Sequence, residues 1–187
     1  MFQKNKLQQS FMLLAVLALS GFAGRAQAAP FDQAFIDAMV PHHQGATMMA
    51  QMAVKKAHYR EVRNMARMMV SEQQKEVKQL KAWRKAWYGS AETPMMMMGD
   101  KMMMSGNMMG LPMKMEMDMG KLKKAKGREF DKMFLTMMIP HHSSAITMAQ
   151  EALNVTGRKQ IRAMSHQIIA AQAREIGKMQ GVLDSRF

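Results

Sequence analysis

Two segments of the chain carry the same double stripe of apolar positions. Phe35, Met39, His42, Ala46, Met49 and Ala53 recur at spacings of four and three, which puts them on one face of a helix. Ile36, Val40, His43, Thr47, Ala50 and Val54 form a second stripe beside the first. Both recur 99 residues later, as Phe134, Met138, His141, Ala145, Met148 and Ala152 and as Leu135, Ile139, His142, Ile146, Ala149 and Leu153. Two adjacent stripes predict a helix buried over much of its surface. The pattern weakens at residues 57–60 and 154–157, which read as turns, and a second helix follows each. Its inward face carries Val62, Met65, Met69, Gln73, Glu76 and Leu80 in one segment, and Ile161, Met164, Ile168, Gln172, Glu175 and Met179 in the other.

Residues 31–83 and 130–182 align without a gap and share 16 identities in 53 positions, against roughly four expected by chance from common residues. The chain therefore reads as a duplication. Two helical hairpins predict an all-α fold, a bundle of four antiparallel helices. Pro41 and Pro140 fall inside the first helix of each hairpin, where each removes a backbone hydrogen bond and is expected to kink the helix or start a new one.

Between the hairpins the helical period fails. Residues 95–119 hold thirteen methionines among Gly, Pro, Lys, Asn and Ser, a composition read as a disordered, low-complexity arm. The expected organisation is a signal peptide at 1–28, a first hairpin at 29–89, a Met-rich linker at 90–126 and a second hairpin at 127–187. The leader rests on Lys4 and Lys6, an apolar run at 11–19 and the small-x-small site Ala26-Gln27-Ala28. The run is too short to span a bilayer, and no later stretch is long or apolar enough, so a soluble periplasmic or secreted protein with no transmembrane segment is expected. Losing residues 1–28 removes three basic residues and no acid, which takes the formal charge from +13 to +10. Export argues against nucleic acid as a partner for that charge.

Cysteine is absent and methionine supplies 28 of 187 residues. A soft metal would have to find thioethers or imidazoles. The sharpest grouping for that chemistry is Met-x-Pro-His-His followed six residues later by Met. Met39 lies one helical turn from both His42 and His43, and Met49 lies two turns beyond His42 with small Ala46 between them. Met138, His141, His142 and Met148 repeat the set. Thioether with imidazole suits copper(I) and also silver(I). Either each copy holds its own site, or His42 and His141 meet across a pseudo-twofold axis. Gln73, Glu76, Gln172 and Glu175 are polar residues on otherwise apolar faces. The glutamates either orient a ligand histidine or bridge to Arg63, Arg162 or a hydroxyl at the bundle rim. His58 and His166 lack counterparts and read as solvent-facing, while Trp83, Trp87 and Tyr88 read as an aromatic plug.

Asp-x-x-Phe-x-x-x-Met-[Val/Ile]-Pro-His-His, followed by Ala and Met and then by Gln-x-x-Glu-[Val/Ile], resembles domain-of-unknown-function family 305 in two copies, and within it the CopM-like periplasmic copper-binding proteins. The resemblance implies a ferritin-like bundle and copper(I) binding by Met and His in metal tolerance. It carries Met39, His42, His43, Met49, Met138, His141, His142 and Met148 as metal ligands and leaves Asp32 and Asp131 without a role. The expected function is non-catalytic: buffering, sequestering or transferring copper, with periplasmic copper-handling proteins as partners. Two other classes compete with it. A zinc or iron enzyme on a ferritin-like fold is one, although the Glu-x-x-His spacing of a di-iron site is missing. A Met-rich interaction module is the other. Processing is testable at once. The exported protein is expected to begin at Ala29, and an intact mass that retains residues 1–28 would refute the leader.

Overall fold

In the computed structural model, residues 23–93, 97–98, 101–108 and 111–187 are described, with side chains from 31–93 and 119–187. Most of the leader therefore lies outside the described residues. The described chain is a helical bundle. The first hairpin is α1 (Ala23–Lys56) and α2 (Arg60–Tyr88); the second is α4 (Gly127–Val155) and α5 (Lys159–Arg186). The expected processing point falls inside α1. Among the described residues, no helix is long and apolar enough to cross a membrane.

The first stripe of each helix fills the core, and the second is buried in part. Phe35, Met39, His42, Ala46, Met49 and Ala53 are all buried, as are their six counterparts on α4. The centre of the bundle is the α1–α4 pair; α2 packs on α1, α5 packs on α4, and α2 and α5 barely touch. The apolar core divides into two clusters, one around Met49, Phe134 and Met138, the other around Phe35, Met39 and Met148. Both proline-containing helices run on unbroken, so no new helix starts before the histidines. One lost hydrogen bond, at the carbonyl of Asp37 or Thr136, weighs little against a helix packed on two sides.

Two buried aspartates clasp the halves together. Asp131 on α4 accepts hydrogen bonds from the backbone N–H groups of His58 and Tyr59, both at 2.8 Å, at the start of α2. Neither α2 nor α5 has a side-chain cap of its own; Asp131 supplies the missing anion to α2 from the other half of the chain. Asp32 on α1 does the reciprocal job. It accepts from the Thr156 hydroxyl at 2.5 Å and lies 3.2 Å from the Arg158 guanidinium at the start of α5. Burial raises the Asp32 pKa, and the Thr156 hydrogen bond and the Arg158 charge oppose that rise. At the far end of α2, Gly89 adopts φ +82° and donates to the Lys85 carbonyl, a left-handed stop that glycine alone takes without steric cost.

The arm departs from the sequence expectation. Its backbone forms β1 (Met97–Met98), β2 (Lys101–Met108) and β3 (Leu111–Asp118) in a three-stranded antiparallel sheet of order β1-β2-β3, with Met102 opposite Met117 and Met104 opposite Met115. A helical period was the wrong test for this segment. Met113, Met115 and Met117 alternate with the two-residue period of a strand, and pairing satisfies the backbone without helix propensity. The linker boundary also moves. Met119 and Leu122, on the short helix α3 (Met119–Lys124), are buried against the Met49 cluster.

The aspartate clasp gives a stability test. Asp131→Ala strands two backbone donors and is expected to cost roughly 2–4 kcal/mol in urea unfolding, with Asp131→Asn losing less because it can still accept. A loss below about 0.5 kcal/mol would place the anchoring elsewhere.

Candidate metal site

Between the two apolar clusters lies a layer of imidazoles. His42, His43, His141 and His142 are all 0% exposed, because adjacent histidines about 100° apart on a helix can both face inward only where the helix is buried on two sides. The rings of His42 and His141 meet across the α1–α4 crossing, with centroids 3.7 Å apart and planes at 43°. His43 and His142 sit further out, 5.9 and 6.3 Å from their neighbours. There each meets a glutamate of its own hairpin. His142 Nε2 hydrogen-bonds Glu175 Oε2 at 2.7 Å, and His43 Nε2 approaches Glu76 Oε2 at 2.7 Å without hydrogen-bond alignment. The competing bridges are not made, since Arg63 and Arg162 hold turn carbonyls instead.

These contacts fix which ring nitrogens carry lone pairs. Ser144 Oγ–H donates to the His141 carbonyl at 2.7 Å. Its one proton is thereby committed, so His42 Nε2–H donates to Ser144 Oγ at 2.8 Å. His142 Nε2–H likewise faces a carboxylate. The Nδ1 atom of His42 is then a bare acceptor, and it is buried without a partner, as are Nδ1 of His43 and of His142 and both ring nitrogens of His141. The Gln73 amide and the Gln172 carbonyl are unpartnered too. Buried polar groups in native proteins are normally satisfied, and a row of orphaned imidazole nitrogens beside thioethers is a donor set that fits a soft metal ion.

Burial drives the pKa of His42 and of His141 well below the ordinary 6.5, and the neighbouring imidazoles push the same way. Both rings are therefore neutral, the form a metal requires.

Of the eight sequence-derived ligand positions, the four histidines gather in this layer, while the methionines split between its two sides. Met39 and Met148 lie in one apolar cluster, Met49 and Met138 in the other. His58 and His166 are exposed. Trp83 and Trp87 stack at 5.5 Å, and the cation over Trp87 is Arg158, at 4.1 Å, in keeping with the plug.

The family model for the domain of unknown function DUF305 matches residues 24–183. The chain belongs to the DUF305 family. Among solved structures it is similar to CopM in the Cu(II)-bound form, with 33% identity, 83% of this chain and 97% of that chain covered, and a TM-score of 0.71. The Cu(I)-bound form of CopM gives 31% identity over 83% and 98% at a TM-score of 0.67, and an Ag-bound form gives 30% over 83% and 97% at 0.68. A DUF305 fragment from Deinococcus radiodurans is 26% identical over 83% and 97%, at 0.68. A curated relative, uncharacterized protein L153 of Acanthamoeba polyphaga mimivirus, is 45% identical over 56 residues; the match spans 30% of this chain and 37% of that protein. At family level these likenesses support a copper-handling role.

Sequence reasoning on this DUF305 chain missed Ser144. Its counterpart 99 residues earlier is Gly45, so the repeat gave no signal, and only the crossing of α1 and α4 brings the hydroxyl to His42.

The neutral rings give a pH test with a definite sign. Above pH 6.5 neither folded nor unfolded chain binds a proton at His42 or His141. Below it the unfolded chain does and the folded one does not, so stability falls as pH falls, by about 1.4 kcal/mol per pH unit for each histidine held neutral. Urea unfolding of the metal-free protein at pH 7 and pH 5 is expected to show this loss, and His42→Leu/His141→Leu is expected to show a shallower one. Equal slopes would refute the buried neutral pair.

Proposed function

We propose that this protein is an exported, non-catalytic copper(I)-binding protein that buffers, sequesters or hands on copper in metal tolerance, with silver(I) as a second soft cargo. The observation that carries the reading is the buried layer of imidazoles with unpartnered nitrogens between two methionine-lined clusters. Met39, His42, His43, Met49, Met138, His141, His142 and Met148 are the assigned ligands. Glu175 orients His142 through its hydrogen bond to Nε2, and Glu76 stands beside His43 in the same position. The solved relative CopM in Cu(I)-, Cu(II)- and Ag-bound forms supports the choice of ion.

The reading includes a ferritin-like bundle that arose by duplication, supported by the 16 identities at one constant offset and by the reciprocal aspartate clasps. It also includes cleavage after Ala28 and residence in the periplasm or outside the cell, where copper-handling proteins are the natural partners. The methionine arm is the capture element: its thioethers do not titrate and are close-spaced, so it takes up soft ions whatever the pH. An enzyme using iron is disfavoured by the missing Glu-x-x-His spacing of a di-iron site.

The test is a copper(I) titration of the mature protein under reducing conditions, in competition with a chromogenic chelator. Changing His42, His43, His141 and His142 to alanine is expected to abolish the bundle ions and leave those of the arm. Deleting residues 95–117 is expected to do the reverse with little change in helical content. Zinc is expected not to displace copper(I) at comparable concentration. Displacement would replace the Met assignments with a histidine zinc site.

A further inference from the structure

The assigned ligands cannot work as the repeat groups them. Met39 and Met49 are ten residues apart on one helix, about 15 Å along its axis at 1.5 Å per residue. Donors at about 2.3 Å from one ion lie within about 5 Å of each other. One ion therefore cannot use both, and the same holds for Met138 and Met148.

The crossing of α1 and α4 offers another pairing. Three cross-links set an antiparallel register: Asp32 to Thr156, His42 to Ser144, and Asp131 to His58. Each step forward on α1 is thus a step back on α4. From the His42–Ser144 contact, Met39 is three residues back and Met148 four forward, so they come level; Met49 is seven forward and Met138 six back, and they come level too. Burial agrees with the register. Met39 and Met148 share one cluster, at 0% and 1% exposure, and Met49 and Met138 share the other, both at 0%.

We infer that the two halves of the chain build two composite sites in trans, Met39 with Met148 on one side of the histidine layer and Met49 with Met138 on the other. Each takes one soft monovalent ion between two thioethers and an imidazole of the layer. Within each pair, one methionine (Met39 or Met138) lies a helical turn from the His-His step of its own helix; the other arrives from the opposite half. Neither hairpin holds a complete site. The inference rests on the copper(I) reading above and specifies how its ligands are shared.

Native mass spectrometry of the full mature chain, titrated with silver(I) or copper(I), separates trans from cis. Leucine replaces methionine at nearly constant volume, and thermal unfolding of each metal-free variant checks the fold. Met39→Leu is expected to remove one ion or weaken one site at least tenfold. Met39→Leu/Met148→Leu is expected to lose no more than that, because both changes strike one site. Met39→Leu/Met49→Leu is expected to lose two. The opposite pattern, two ions lost from the first double variant and one from the second, overturns the trans pairing and leaves the copper(I) reading standing. No loss from any variant overturns both.

Discussion

The fold turns on one constraint: four imidazoles must be buried at the crossing of two helices. Removing a polar ring from water without a partner costs free energy, and here six ring nitrogens lie buried without a hydrogen-bond partner. The surrounding apolar clusters must outweigh that cost, which is why α1 and α4 are covered on two sides. The layer in turn sets the register. A shift of one residue along either helix would rotate the histidines by about 100° and carry them into the apolar clusters. A buried polar layer of this kind stabilises less than hydrocarbon would, but it admits few alternative alignments.

The register is held a second time at the ends. Each aspartate of one hairpin caps the turn of the other, so the halves interlock through backbone N–H groups as well as side chains. The two clasps differ in chemistry. Asp131 takes two amides directly, whereas Asp32 works through Thr156, whose hydroxyl donates to the carboxylate and accepts from the Arg158 amide. Ala57 stands where Thr156 would have its counterpart. The same topological task is thus performed with different atoms, and the clasp depends on the carboxylate rather than on its partners.

Much of this was legible in the sequence because it depends on periodicity. The double stripes, the turns and the inward polar pairs all follow from a 3.6-residue period, and Glu76 and Glu175 stood out as acids on an apolar face. What the period cannot convey is which residues of two distant helices come level. Met39 and Met49 share a stripe, but the stripe does not say which residues of α4 stand level with either of them. Asp32 and Asp131 had no readable role because their partners lie in the opposite hairpin. The arm misled for a different reason: a search for helical period finds nothing in a segment whose alternate methionines carry the period of a strand, and it set the boundary past Met119, which belongs to the core.

The two halves of that core are not equally adaptable. The cluster containing Met49 and Met138 also holds buried Met65, Met69, Met119 and Met179, beside the stacked rings of Phe130 and Phe134. The cluster containing Met39 and Met148 is backed by Phe35, Trp83, Trp87 and Tyr88, with two of those rings stacked and one covered by Arg158. Methionine has an unbranched, flexible side chain that re-packs at low cost, whereas stacked aromatics lock their neighbours. A close-packed interior admits an ion only if side chains move aside. More side chains of that kind, six buried methionines against three, lie in the half against which α3 packs as the chain returns from the arm to the bundle.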